Sequence, residues 1–139
     1  MIEKLTKLIK KHEGLSLKPY TDTQGFLTIG YGRNLSSKGI SKREAEVLLA
    51  NDIDEAMHEL YKVLPNVFDW PEDAKIAIID MMFNLGSYKF RKFKRMIEVA
   101  KRNDFEAVAR EMLDSLWARQ VGYRAEELAR MVKDAGEVA

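Results

Sequence analysis

Apolar residues recur along this chain at two different spacings, and the change from one to the other falls early. Ile2, Leu5, Leu8 and Ile9 repeat at helical intervals and predict a short amphipathic helix over residues 2–12. Gly14 is its expected stop. From Tyr20 the period becomes two. Phe26, Thr28 and Gly30 fall on one side and Leu27, Ile29 and Tyr31 on the other. With the Asp22-Thr23-Gln24-Gly25 turn before it, this alternation predicts a hairpin. Residues 34–39 are small and polar and read as loop.

Helical spacing then returns. Ser41-Lys42-Arg43-Glu44 is a capping box, and Ala45, Leu48, Leu49, Ile53, Met57, Leu60 and Leu64 carry an apolar stripe up to Pro65. A helix of more than twenty residues is expected there. Pro71, expected at a first helical position, opens the next, with Ile76, Ile79, Met82 and Phe83, and Gly86 closes it. Phe90, Phe93, Met96, Ile97 and Ala100 predict another. Asn103-Asp104 caps a segment carrying Phe105, Val108, Met112 and Leu116. Gly122 ends it, and a last helix runs from Tyr123 to about residue 133. The expectation is a mostly helical α+β protein. It is one domain over residues 1–139, with a small β lobe at about 14–40 joined by the long helix to a helical lobe at about 41–139, to which helix 2–12 also belongs.

Composition narrows the function classes. The 139 residues carry 23 basic against 22 acidic side chains, so nothing global favours nucleic acid or a membrane surface. There is no cysteine, which excludes disulfide and thiol chemistry. His12 and His58 have no partner at ligand spacing, so no metal is expected. Glu3, Lys4, Lys7, Lys10 and Lys11 interrupt the N-terminal apolar residues, which therefore form neither a signal peptide nor a membrane span.

Two carboxylates near the fold junction are the candidate chemistry. Glu13 continues the Leu5–Ile9 stripe, where a carboxyl would be partly desolvated and hold its proton nearer neutral pH. Asp22 heads a turn, where it would be solvated and ionised. Unlike environments suit a general acid and its partner. Thr28, six residues on, could orient a water near Asp22. Each has a plainer reading: a helix-end residue or arginine partner for Glu13, an ordinary β-turn start for Asp22, a common strand residue for Thr28. Periodicity alone leaves both open.

The order of residues goes further. Glu13-x8-Asp22-x5-Thr28 within HEGLSLKPYTDTQGFLTIGYG resembles the phage-type lysozymes, the family of the T-even phage lysozyme and many endolysins. SKREAEVLLANDID, AIIDMMFNLG and SLWARQVGYRAEELARM look like the corresponding family segments. The resemblance implies a lysozyme-like fold, a monomer, and hydrolysis of peptidoglycan between N-acetylmuramic acid and N-acetylglucosamine, without cofactor. It implies Glu13 as general acid, Asp22 as the carboxylate that activates water or stabilises charge, Thr28 as the group that places the water, and Arg124 reaching Glu13. Asn34 and Phe83 fall at family substrate positions, and Phe93 and Glu111 near two more; for the two phenylalanines core packing is the favoured alternative. An ion pair between Arg33 and Asp52 is also implied. An endolysin of this kind would wait in the host cytoplasm until released to the wall. The competing readings are a lytic transglycosylase, which the Asp22–Thr28 pair disfavours; an inactive wall-binding module; and a nucleic-acid binder resting on the basic residues around Lys92. That last cluster (Lys89, Arg91, Lys92, Lys94, Arg95, Lys101 and Arg102) reads structurally as a solvated helix face.

Overall fold

A computed structural model describes residues 1–138. Seven α-helices and one small antiparallel sheet make up the described residues, in the α+β arrangement expected. The order is α1 (Ile2–Glu13), β1 (Ser16–Thr21), β2 (Leu27–Gly30), β3 (Arg33–Asn34), α2 (Lys42–Val63), a 3-10 turn (Pro65–Asp69), α3 (Glu72–Phe90), α4 (Lys94–Lys101), α5 (Phe105–Leu113), α6 (Leu116–Val121) and α7 (Tyr123–Val138). By compactness they fall into two units, Met1–Leu48 and Leu49–Ala139.

In the first unit, α1 ends where Gly14 takes a positive φ of 71° and its N–H returns to Lys10 O at 3.0 Å. Few side chains tolerate that conformation. The sheet has order β1-β2-β3, so β2 is central. Tyr20 pairs with Thr28, and Thr28 pairs with Asn34. A register shift between Ser16 and Tyr20 places Pro19 in an irregular edge strand, where its missing N–H is harmless. The third strand was not anticipated: Arg33 and Asn34 form it before the chain turns.

The capping box is present as expected. Glu44 N donates to Ser41 Oγ at 3.1 Å, and Ser41 N donates to Glu44 Oε1 at 2.9 Å. The same carboxylate is gripped by Arg33, whose Nη1 and Nη2 donate to Oε1 and Oε2 at 2.8 Å each. Arg33 Nη1 also donates to Gly39 O at 3.1 Å. The partner of Arg33 is therefore Glu44, not Asp52. The cap leaves Glu44 enough lone pairs to receive a guanidinium fork as well.

The second unit holds the apolar core. Leu60, Leu64, Val67, Ile78, Met81, Phe90, Met96, Val108, Met112 and Val132 are fully buried. Helix α7 packs on α3, α5 and α6, and α4 packs on α5. The α5–α7 approach is close: a Cβ at Gly136 would stand 2.5 Å from Phe105 Cβ. Three expectations shift here. The stripe of α2 buries Ala56 and Leu60, while Leu48, Leu49 and Ile53 stay exposed. Pro71 is the residue before α3 rather than its first residue. Asp104 caps α5 by accepting from Ala107 N at 3.2 Å, but α5 stops at Leu113, because Ser115 caps a separate α6. Leu116 is accordingly exposed. Gly86 breaks the helical dihedrals within α3, as expected of a stop, and one further turn follows it. No helix among the described residues is long and apolar enough to cross a membrane.

The Arg33–Glu44 pair yields a pH prediction. Arg33, first, and then the Ser41 backbone N–H hold the Glu44 carboxyl at about 2, against 4.5 for the free group. A lowered folded value means that its contribution is complete above about 4.5 and disappears as pH falls towards 2. Arginine does not titrate near neutrality, so no matching loss arises from this pair on the alkaline side. Urea midpoints measured across pH 2–8 should fall within that acid window, and Glu44→Gln should flatten the fall; an unchanged acid slope in the variant would exclude the pair as its source.

Candidate functional site

Asp22 stands at the first position of the β1–β2 turn, and its side chain builds the turn. Oδ1 accepts from Gln24 N at 2.9 Å and from Phe26 N at 2.8 Å. Its backbone closes the same loop: Asp22 N donates to Phe26 O at 2.9 Å, and Gly25 N donates to Asp22 O at 3.0 Å. This is the self-bonded turn that aspartate favours. Two backbone donors fix one carboxylate oxygen. The other oxygen has no recorded protein partner and is left to bind water. The plain reading of Asp22 as a turn builder is thus true, and it orients the carboxylate.

Thr28 is the only polar side chain among the buried described residues, at 4% exposure. Its Oγ1 donates to Phe26 O at 3.0 Å. That carbonyl also accepts the Asp22 N–H, and the Phe26 N–H donates to the Asp22 carboxylate, so the main chain of one residue links the two residues that the sequence paired. With its proton committed, the Thr28 hydroxyl presents lone pairs, suited to accept a hydrogen from a water. The register sets Thr28 between Tyr20 and Asn34. Phe26, expected on the inward face with Thr28, is exposed; its contribution is its main chain, which sequence reasoning missed.

Glu13 closes α1, with Lys10, Lys11 and His12 beside it in the last turn. An acid at the C-terminal end of a helix lies on the unfavourable side of the helix dipole. Something other than helix stability places it. Its side chain lies against the backbone of Gly32 in the β2–β3 connection: a Cβ there would stand 2.6 Å from Glu13 Oε2 and 2.9 Å from Cδ. Gly32 also has a φ of 77°. Lys10 Nζ, one turn back, sits 5.1 Å from the Tyr31 ring centroid. Helix end and hairpin therefore meet at Lys10–Tyr31 and Glu13–Gly32. Glu13 is exposed, and α1 has no buried residue. The stripe that it continues keeps Leu5 and Ile9 more than two-fifths exposed.

The remaining candidates divide. Asn34 Oδ1 accepts from Ser37 N at 3.1 Å, which makes it a turn-forming residue at the end of β3. In the second unit, Phe93 packs on the core with its ring edge-on to Trp117 at 6.4 Å, and shares a surface groove with the half-buried Glu111. Phe83 is two-fifths exposed beside Asp52 and Glu55. Arg124, expected to support Glu13, pairs within its own unit with Asp80, its Nε and Nη2 at 2.8 and 2.7 Å from Oδ1. Asp80 is 44 positions away on α3, a pairing that no local spacing announces. A further polar link also escaped the sequence: Trp117 Nε1 donates to Asn84 Oδ1 at 2.7 Å. Asn84 adjoins Phe83 in the quoted MFNLG.

Comparison with known proteins gives a consistent result. A family model described as phage lysozyme matches residues 10–134. A probable T4-type lysozyme 1 of Dictyostelium discoideum is 26% identical, over 96% of this chain and 95% of its own length. The pre-baseplate central spike protein Gp5 of Enterobacteria phage T4 is 24% identical over 92% of this chain, but over only 27% of its own length. A SAR-endolysin of bacteriophage PS119 is 29% identical over 57% of this chain and 48% of its own.

The Glu13–Gly32 contact is open to a direct test. Gly32→Ala introduces a methyl group where the carboxylate lies, at a φ that alanine adopts at a cost of about 1–2 kcal/mol. Urea unfolding should show that loss. Wall clearing should drop by about 10²-fold through displacement of Glu13. Full clearing by a folded Gly32→Ala protein would show that this contact does not place the acid.

Proposed function

We propose that this chain, which belongs to the phage lysozyme family, is a muramidase that hydrolyses the β-1,4 bond between N-acetylmuramic acid and N-acetylglucosamine by single displacement. The observation that carries the reading is the main chain of Phe26, whose N–H donates to the Asp22 carboxylate and whose C=O accepts from the Thr28 hydroxyl, in one hydrogen-bonded turn.

Each side chain is assigned one task. Glu13 donates a proton to the glycosidic oxygen as the bond from the anomeric carbon to that oxygen breaks. A water accepted by the free Asp22 oxygen, and donating its other hydrogen to Thr28 Oγ1, attacks that carbon from the opposite face. Asp22 receives the water's proton, and the new hydroxyl stays on the sugar. Charge balances: one carboxyl loses a proton and the other gains one. A threonine that positions water favours this course over direct attack by Asp22, for which the hydroxyl would have no task. It also favours hydrolysis over transglycosylation, which needs no water. Peptidoglycan is the expected partner and no cofactor is required.

Two measurements test the reading. Glu13→Gln removes the proton donor and should lower lysis by about 10²–10⁴-fold, while the exposed position lets the protein fold; more than about a tenth of normal activity would remove Glu13 from the mechanism. Inversion predicts that NMR at early times shows the α-anomer at newly released reducing ends. A dominant β-anomer before mutarotation would show instead that Asp22 attacks the sugar itself.

A further inference from the structure

The turn between α3 and α4 carries a concentration of charge that the fold does not use. From Met81 to Ile97 there is no acidic residue, and Lys89, Arg91, Lys92, Lys94 and Arg95 fall within seven positions. The whole chain has a net charge of only +1. All five side chains are exposed, and among the described residues none forms an ion pair. Glu59, on the neighbouring α2, is taken by Lys62 at 3.3 Å. Arg91 spends its Nε on Ser87 Oγ at 3.0 Å.

This arrangement opposes stability. Lys94 and Arg95 open α4, whose first turn contains no acid and whose N-cap, Phe93, makes no side-chain cap. Cations at a helix N-terminus face the positive end of the dipole. Like charges crowded on one turn repel as well. Yet the turn is well anchored: Phe90 and Met96 are fully buried, and Phe93 packs on the core. Fixed cations on a rigid turn, held against their own repulsion, form a surface already organised for an external polyanion.

The aromatics decide which polyanion. A single-stranded nucleic acid needs open aromatic faces for its bases to stack on. Phe90 is buried and Phe93 is in the core; Tyr88 is exposed, but Lys92 Nζ lies over one face of its ring at 4.4 Å from the centroid, which leaves a single isolated ring and no row on which successive bases could stack. What is left is charge without a stacking platform, complementary to a phosphodiester chain that carries no bases. We propose that the Lys89–Arg95 turn is a docking surface for linear polyol-phosphate polymers of the bacterial wall. It would hold the enzyme on its insoluble substrate. The choice of a wall polymer rests on the muramidase reading; the binding itself does not.

The test uses the full chain and short poly(glycerol phosphate) chains, with binding followed against salt. The wild-type protein should bind with a steep salt dependence. Lys89→Gln/Lys92→Gln/Lys94→Gln should lose about tenfold or more in affinity at low salt and flatten the dependence. Neutralising three exposed lysines elsewhere, Lys4, Lys18 and Lys42, should change little. The first triple should clear phosphate-bearing walls more slowly, yet clear walls stripped of the polymer at the normal rate. Glu13→Gln should abolish clearing and leave polymer binding intact, so failure of the catalytic reading and failure of this one are separable. Equal loss in the two triples would reduce the effect to net charge and overturn the proposal. Equal or tighter binding of oligo(dT) at matched phosphate concentration would overturn it in favour of nucleic acid.

Discussion

The first unit is organised by one absence, the missing side chain at residue 32. A Cβ there would stand 2.6 Å from Glu13 Oε2, and the backbone is in the left-handed region, with φ at 77°. Conformation therefore demands glycine, and any side chain there would have to push the Glu13 carboxylate aside. With glycine the end of α1 rests on the β2–β3 connection with its carboxylate against the main chain. Gly14 lets the chain leave the helix at once, and the sheet then returns Gly32 to the helix end. An acid at a helix C-terminus, unsupported by the helix dipole, is thus fixed by a sheet contact. Placing it there costs helix stability, which the helix alone does not recover.

The same economy appears at Asp22. The turn needs an acceptor for two backbone donors, and aspartate supplies it with one oxygen. The second oxygen is aimed as a by-product of folding. Thr28 is drawn to the main chain of the same residue, Phe26, because its hydroxyl, buried on the central strand, must find a partner and takes Phe26 O. Structural and chemical readings of these residues are not rivals. The hydrogen bonds that make the hairpin also fix which atoms remain open to water.

This explains what the sequence disclosed. The helix stop at Gly14, the self-bonded turn at Asp22 and the strand around Thr28 were legible because each is a local event, whereas grouping Glu13, Asp22 and Thr28 as one candidate site rested on the family resemblance. The α2 capping box was legible as a local event too. The Arg33–Glu44 pair was not, because Glu44 already had a task in the cap, and a carboxylate with room for several donors can hold two tasks at once. Arg124–Asp80 and Trp117–Asn84 depend on how distant helices come together, 44 and 33 positions apart, which periodicity does not encode. The split of α5 from α6 turned on Ser115, a cap overlooked because Leu116 appeared to continue the stripe.

Burial separates the two units by role. Every fully buried apolar side chain among the described residues belongs to the second unit, and the one buried side chain of the first is the hydroxyl-bearing Thr28. Within the first unit, hydrogen bonds and the Arg33–Glu44 fork set the geometry, interactions with strict directionality and small net contribution each. The second unit, with a packed core of helices, can tolerate an arrangement such as the Lys89–Arg95 turn, whose like charges a hydrogen-bonded hairpin would accommodate less readily. Costly features stand where each unit can bear them. The acid at the helix end is offset by a backbone contact, and the cationic turn by the buried Phe90 and Met96 on either side.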